Sequence, residues 1–405
     1  MKIKIAISLT LLLMLVSCDI KKSNTGPGTN FIRVYSDPVQ NNAYFPADFI
    51  ETEDKGFIIV SGRYGEEELN YPGTFLVKTD DQGMIKWTYT ADGSVLSPVP
   101  DILNINGNYH IFCMQDNLRA RLMRIEDNGS SGALAPVFEA DAFNPLRAYH
   151  DNNGDVVLLS FDIIGNKTVI SKYDQLMSRQ WNRVINAYLG SDYFVRYHLN
   201  KEDHEIPFFM GGITLNGLES HYYINCFTNT GLSTAFINAA SGDFTGSIMG
   251  NTDEFNIDAA YTSMMHLQDE VFTISRFHTR DNYIHSRQTL SILEHQHSTE
   301  LTENPLNVPE LDEEAAVISL KDMFNGKEHV VLASTSKTNQ VILYFFNTSE
   351  NKLAKTKYLG HTNPIKVKAM KRGSDDSLVL LCQTWEAGRY QRIMLYKISM
   401  EELGF

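Results

Sequence analysis

Few residues in this chain have the types and spacing to do chemistry. His295-Gln296-His297 would set two imidazoles on one side of an extended segment, with His278 and His285 flanking the nearby loop 279–284. Metal sites use such a spacing, but no acidic or cysteine partner is fixed beside it, so no metal is assigned. Asp151-Asn152-Asn153-Gly154-Asp155 has the oxygen-rich look of half a calcium loop. It lacks the terminal bidentate glutamate of such a loop and reads as a hairpin turn. The 49 acidic residues could hide a glycosidase pair, but no spacing selects two of them. No G-x-S-x-G, H-E-x-x-H or G-x-x-x-x-G-K-[ST] pattern occurs, and no cofactor is expected. The balance favours a binding protein over an enzyme and leaves the enzyme as the alternative.

The clearest chemical signal lies at the start. Lys2 and Lys4 precede an apolar run over 5–16, which is short for a spanning helix and has the flanks of a signal peptide. Leu15-Val16-Ser17-Cys18 then resembles the lipobox of bacterial lipoproteins. The resemblance implies that Cys18 is diacylated on sulfur, becomes the first residue after cleavage, and is acylated again on its amine. Several acyl chains on one residue anchor stably where one chain does not. The organisation expected is a signal peptide over 1–17, a lipidated cysteine and flexible tether over 18–30, and one folded domain over 31–405. The tether is polar and rich in Gly, Ser, Asn and Thr. Asp19 does not settle which membrane or leaflet the anchor would occupy.

No later apolar stretch approaches eighteen residues, so the domain is expected to be soluble and held to the membrane by the anchor alone. The formal charge of −14 becomes −16 once Lys2 and Lys4 leave with the leader. Such an acidic surface argues against nucleic acid and against a polybasic grip on anionic lipid. Cys113, Cys226 and Cys382 each sit in an apolar strand-like run, and read as small buried hydrophobes.

The elements that must position any site repeat. In Thr74–Thr90, TFLVKTDDQGMIKWTYT, an apolar run ends in Lys78-Thr79-Asp80, a turn follows, and a short strand carries Trp87. The same design returns over 169–181, with Lys172-Tyr173-Asp174 and Trp181. A strand-built repeat of about fifty residues points to propeller blades. Strands buried on both faces read as near-continuous apolar runs, and seven are found at 57–61, 109–114, 156–161, 207–211, 271–277, 330–334 and 378–384. With A to D counted outward from the axis, these are the B strands. Gly, Asn and Asp turns precede them, as tight hairpins require. For blade four the A strand is placed at 193–199, and C and D at 222–227 and 234–238. For blade five, C is placed at 289–293 and D around 298–302. The expected fold is all-β: a single seven-bladed β-propeller of four-stranded antiparallel blades, with six or eight as neighbouring counts. Phe31–Tyr35 would close the ring as the outer strand of the last blade.

The D-x6-W pattern at Asp80–Trp87 and Asp174–Trp181 resembles the tryptophan-docking repeat of quinoprotein-type propellers, and that of the propeller lipoprotein of the outer-membrane barrel assembly machinery. The resemblance implies that each Trp packs between adjacent blades while the Asp orders the C–D turn. Other turns lack the Trp, and no quinone pocket is carried over.

Propeller ligands mostly bind on the face built by the B–C and D–A loops. Here those loops carry Arg63, Tyr64, Tyr71, Arg119, Arg280, Tyr283, Trp385 and Arg389. Arg and aromatic side chains are frequent anchors of binding surfaces, and these eight form the candidate binding face. The expected function is a lipid-anchored binding or scaffold module of the bacterial cell envelope, with a protein or glycan partner. The alternatives are a glycan-active enzyme with acidic residues at the channel mouth, and a subunit of an envelope assembly or secretion complex.

Overall fold

The computed structural model describes residues 30–36, 42–65, 70–201, 205–252, 257–279, 281–299, 305–312, 315–386 and 389–405. The leader, Cys18, most of the tether, and Arg280 lie outside the described residues. Strand β1 (Phe31–Tyr35) comes first. β2 (Ala43–Glu51), β3 (Phe57–Tyr64), β4 (Gly73–Thr79) and β5 (Ile85–Thr90) form one antiparallel meander. After the two-residue β6 (Val95–Leu96), β7 (Leu103–Ile105), β8 (Asn108–Gln115), β9 (Arg119–Asp127) and β10 (Gly132–Phe143) form another. β11 (Pro145–His150), β12 (Val156–Asp162), β13 (Lys167–Tyr173) and β14 (Arg179–Asn186) make a separate four-stranded sheet. Helix α1 (Ser191–Asn200) follows.

Beyond it, β15 (Met210–Leu215), β16 (Leu218–Thr228), β17 (Gly231–Asn238) and β18 (Phe244–Met249) form a blade. The next comprises β19 (Asn251–Thr252), β20 (Ile257–Gln268), β21 (Val271–His278) and β22 (Asp281–Thr289). Its chain then sends β23 (His295–His297) to pair in parallel with β18, and returns so that β24 (Leu306–Asn307) pairs with β22. β25 (Ile318–Phe324), β26 (Lys327–Thr335), β27 (Val341–Asn347) and β28 (Lys352–Leu359) are a further blade. In the last, β29 (Ile365–Arg372), β30 (Leu378–Glu386) and β31 (Tyr390–Ile398) are completed by β1. A short helix, α2 (Met400–Leu403), ends the chain. Successive inner strands touch their neighbours around one axis, β29 against β2 on one side and β25 on the other. This is a β-propeller. No helix among the described residues is long and apolar enough to cross a membrane.

The blade count differs from the expected seven. Five blades stand as separate sheets of four or five strands, while β2 to β10 form one nine-stranded sheet. The weld is β6, whose Leu96 pairs with both Gly73 of β4 and Met114 of β8. Blade four is also shifted. The segment expected as its A strand, 193–199, is helix α1, and the strand over 207–211 expected as B begins the A strand β15 instead. Along α1, Ser191, Val195, His198 and Leu199 are buried while Tyr193 and Arg196 are exposed, a 3.6-residue rather than a two-residue period. The expected C and D strands are therefore B and C, and the true D strand is β18, beyond the expected 234–238. In blade five, C is β22 rather than 289–293, and 298–302 supplies no described D strand.

The repeated tryptophans act as wedges. Trp87 on β5 is 5% exposed and donates to Asp127 Oδ1 at 2.9 Å, on the next C–D hairpin. Its ring lies against Gly132, where any Cβ would clash with it. Trp181 on β14 donates to the Ala239 carbonyl at 3.1 Å and covers Gly242 in the same manner. Asp80 Oδ1 accepts from the Gln82 and Met84 amides, and Asp174 Oδ1 from the Leu176 and Ser178 amides, so both carboxylates order their turns. A third wedge was not visible in the pattern. Phe31 pairs with Lys397 as Trp87 pairs with Lys78 and Trp181 with Lys172, and its ring lies over Gly83.

The three lysines share one arrangement. Their side chains are 1%, 8% and 4% exposed for Lys78, Lys172 and Lys397. Each reaches acids of its own A–B hairpin: Lys78 to Asp54 at 2.6 Å, Lys172 to Asp155 at 3.0 Å and Asp151 at 3.2 Å, Lys397 to Asp375 at 2.7 Å. Burying an ammonium is tolerable only with such partners. The calcium-like stretch is thereby explained as a hairpin. Asp151 Oδ1 accepts from the Asn153 and Asp155 amides, and Oδ2 from Tyr222. The three cysteines are free and buried, with thiols pushed by burial up to about 12.

If Phe31 is a wedge, Phe31→Ala should cost as much as Trp87→Ala, each about 3–5 kcal/mol by urea unfolding. Ile32→Ala, on the more exposed side of the same strand, should cost about 0.5 kcal/mol or less. Equal losses at Phe31 and Ile32 would mean that β1 contributes pairing but no wedge.

Candidate functional site

The candidate binding residues sit on B–C hairpins of different blades. Arg63 and Tyr64 end β3, and Tyr71 precedes β4. The structure brings the two tyrosines to α1: Tyr64 donates to the Asn200 carbonyl at 3.1 Å, and Tyr71 packs on the cluster containing Val195 and Leu199. They hold a helix on the face that they would otherwise present. Arg119 opens β9, 3.6 Å from Glu139, with its guanidinium over Phe143. Tyr283 lies on β22 beneath Arg276, and Trp385 on β30 faces the Lys366 ammonium at 5.7 Å. The Arg389 amide closes its hairpin on the Glu386 carbonyl. These last residues remain on separate hairpins. The His295–His297 pair lies on β23, where His295 stacks on Phe244 and sits 2.9 Å from Ser247 Oγ. Among the described residues no group of His, Cys, Asp and Glu is gathered as metal ligands.

The segment that sequence reasoning missed is the D–A connection from β14 to β15. Its start is tied to β16 by the Tyr188 amide donating to the Thr228 carbonyl, and its end by Asn225 donating to the Pro207 carbonyl. Between these ties α1 and residues 205–209 border a cavity of ≈ 220 Å³ on the propeller axis. Inner-strand residues such as Ala47, Arg147, Met264, Ser319 and Lys368 complete its wall. The helical spacing of Val195, His198 and Leu199 shows only in their burial, not in their residue types. The position of α1 over the axis had no sequence signal.

Charge gathers here. Lys368 on β29 bonds Glu205 at 2.5 Å, linking the last blade to the α1 connection. Burial would raise the Glu205 carboxyl, but Lys368 and Lys201 outweigh it and hold the group at about 2. Burial lowers the Lys201 ammonium, reinforced by Lys368 and Arg147 and opposed by Glu205. Two further acids belong to the wall between blades rather than to the cavity. Asp101 takes Arg147 at 2.8 Å, and its carboxyl is raised by burial against the pull of that cation. Asp48 takes Lys371 at 2.8 Å and the Ile102 amide at 2.7 Å. Among the described residues Glu205, Asp101 and Asp48 are each engaged by a cation, and the neighbouring Asp48 adds to the rise of the Asp101 carboxyl.

His198 is buried with its ring edge-on to Phe208 at 4.9 Å, and its Nδ1 has no partner. Burial, with Lys201, Arg147 and Lys368 adding, holds it well below its ordinary 6.5. The unfolded chain gains a proton at this residue below that value and the folded chain does not, so folding loses stability as the pH falls through 6.5. His198→Gln should therefore flatten the decline in unfolding free energy between about pH 7 and about pH 5. An unchanged decline would mean that the folded imidazole accepts the proton.

No protein-family model matches the chain, and no curated protein matches it in sequence. Among solved structures, the CNH domain of AfRom2 aligns at a TM-score of 0.45 and 8% identity, covering 91% of this chain and 99% of that one. The β-propeller domain of the Trilobed protease from Pyrococcus furiosus, described as having an open velcro topology, aligns at 0.46 and 10% identity, covering 88% and 95%. At these scores the likenesses say nothing of function, and the propeller assignment rests on the strand order of the chain itself.

Proposed function

We propose that the chain is a lipid-anchored binding module of the bacterial cell envelope, which turns its A–B and C–D hairpins toward the membrane and offers the opposite face to a protein or glycan partner. The observation that carries the orientation is the direction of β1. Phe31 pairs with Lys397 and Tyr35 with Ile393, so β1 starts beside the C–D end of β31. There the Ser399 amide donates to Asn30 Oδ1 at 2.6 Å. A tether attached at this point leaves from the hairpin face opposite to α1. Twelve residues from Asp19 to Asn30 span at most ~40 Å, enough to hold the disc clear of the lipid surface and too little to turn it freely. The anchor rests on the Cys18 sequence pattern. The partner class rests on the Arg and aromatic loops and the helix of the outward face.

Two measurements test this. Cys18→Ala should abolish incorporation of labelled palmitate and release the protein from membranes; persistent labelling would sink the anchor. For orientation, the buried native thiols allow selective labelling of introduced cysteines. Leu189, on the α1 side, is 83% exposed and Met84, in a C–D turn, is 54% exposed. A fluorophore on Met84→Cys should be quenched more by headgroup-labelled lipid than one on Leu189→Cys. The reverse order would overturn the orientation.

A further inference from the structure

The axial cavity has an unbalanced wall. Among the described residues its lining carries three cations, Arg147, Lys201 and Lys368, against one carboxylate, Glu205, in a chain whose formal charge is −14. Glu205 is taken by Lys368. Asp101 takes Arg147 through Nη2, and leaves Arg147 Nε buried without an acceptor. The Lys201 side chain makes no ion pair or hydrogen bond among the described residues. His198, 8% exposed, lines the same space with an unpartnered Nδ1. Buried donors are costly when left unmet, and a protein of this charge has carboxylates to spare for pairing. Leaving Arg147 Nε and His198 Nδ1 unmet at one cavity, beside a half-buried Lys201 ammonium, marks a place where a partner comes from outside.

The remaining wall is different. Phe208, Phe209, Met264, Met265, Val317 and Val367 supply an apolar lining, with methionines that adapt to the shape of a guest. A volume of ≈ 220 Å³ exceeds what a single water or a bare ion fills. Neutral sugars would leave the cations unmatched, and inorganic anions would leave the apolar side unfilled. Small-molecule sites commonly combine an apolar lining with a few fixed polar groups, as here.

We infer that the axial cavity binds a small organic acid, its anionic group held by Lys201 and Arg147 beside His198, and its apolar body packed against Phe208 and the Met264–Met265 pair. Guanidinium and ammonium donors favour carboxylate or phosphate oxygens, and do so more strongly out of water. The site is independent of the membrane anchor and of the partner proposed for the outward face.

The test uses the full-length chain in detergent and isothermal titration with three probes: phenylacetate, its neutral isostere phenylacetamide, and inorganic phosphate. Phenylacetate should bind saturably with a Kd below about 1 mM, and phenylacetamide at least about tenfold more weakly. Lys201→Met should weaken phenylacetate at least about tenfold while leaving the melting temperature unchanged or higher, because it removes an unmatched cation. Lys201→Arg should retain binding. No binding of phenylacetate, equal binding of the amide, or binding of phosphate alone would each overturn the organic-acid site. A Lys201→Met variant that loses binding and melts lower would assign Lys201 to the fold and overturn it as well.

Discussion

An aromatic ring on an outer strand, laid over a glycine of the next blade's hairpin, recurs at three boundaries of this ring. Trp87 meets Gly132, Trp181 meets Gly242, and Phe31 meets Gly83. Beneath each ring a lysine of the neighbouring C strand runs inward to the A–B hairpin acids of its own blade. The unit links three things at once: a C strand, its own inner hairpin, and the adjacent blade. Its parts are interdependent. The ring needs a residue without a side chain to approach the backbone, and the lysine needs its acid because a buried ammonium without a partner would cost several kcal/mol. The glycine also fixes which hairpin can face which strand, so the unit sets the angular order of the blades.

That order places the axis. Inner-strand charges mostly continue the same work of tying neighbours, Lys371 to Asp48 and Arg147 to Asp101. Once those ties are made, the charges left over are those brought by the α1 connection. Glu205 reaches across to Lys368, whereas among the described residues His198 Nδ1 has no partner and the Lys201 ammonium makes no ion pair. Single unpartnered polar atoms remain elsewhere among the described residues, but at the axial cavity Arg147 Nε and His198 Nδ1 are left unmet together, beside the Lys201 ammonium. A binding site accounts for such a grouping, because a group matched to a ligand is unmatched without it.

The architecture was largely legible because its signals are local. Apolar runs mark B strands, Gly and Asn turns mark hairpins, and D-x6-W marks two wedges within single hairpins. The third wedge was illegible for the same reason. Phe31 and its lysine, Lys397, stand at opposite ends of the chain, so no spacing connects them. Helix α1 was misread because Tyr193, Phe194, Val195, Tyr197 and Leu199 suit a strand by type, and only their burial period shows the helix. That one error displaced every strand of its blade by one position. The weld at β6 rests on two residues and no composition. The candidate site was hidden further: Arg147, Lys201, Glu205 and Lys368 are ordinary surface-type residues in sequence, and only closure of the ring brings them to one axis. The loop residues chosen from sequence include Tyr64 and Tyr71, whose aromatic character serves to seat α1.

The central claim is that β1 closes the ring as an integral outer strand, wedged by Phe31, rather than as a loosely added terminus. Hydrogen–deuterium exchange of the full-length protein tests it most directly, by comparing the hydrogen-bonded amides of β1 with those of β31. If β1 opens only when the whole ring unfolds, its amides exchange as slowly as those of β31. Exchange of β1 orders of magnitude faster than β31 would show a fraying end and contradict the account.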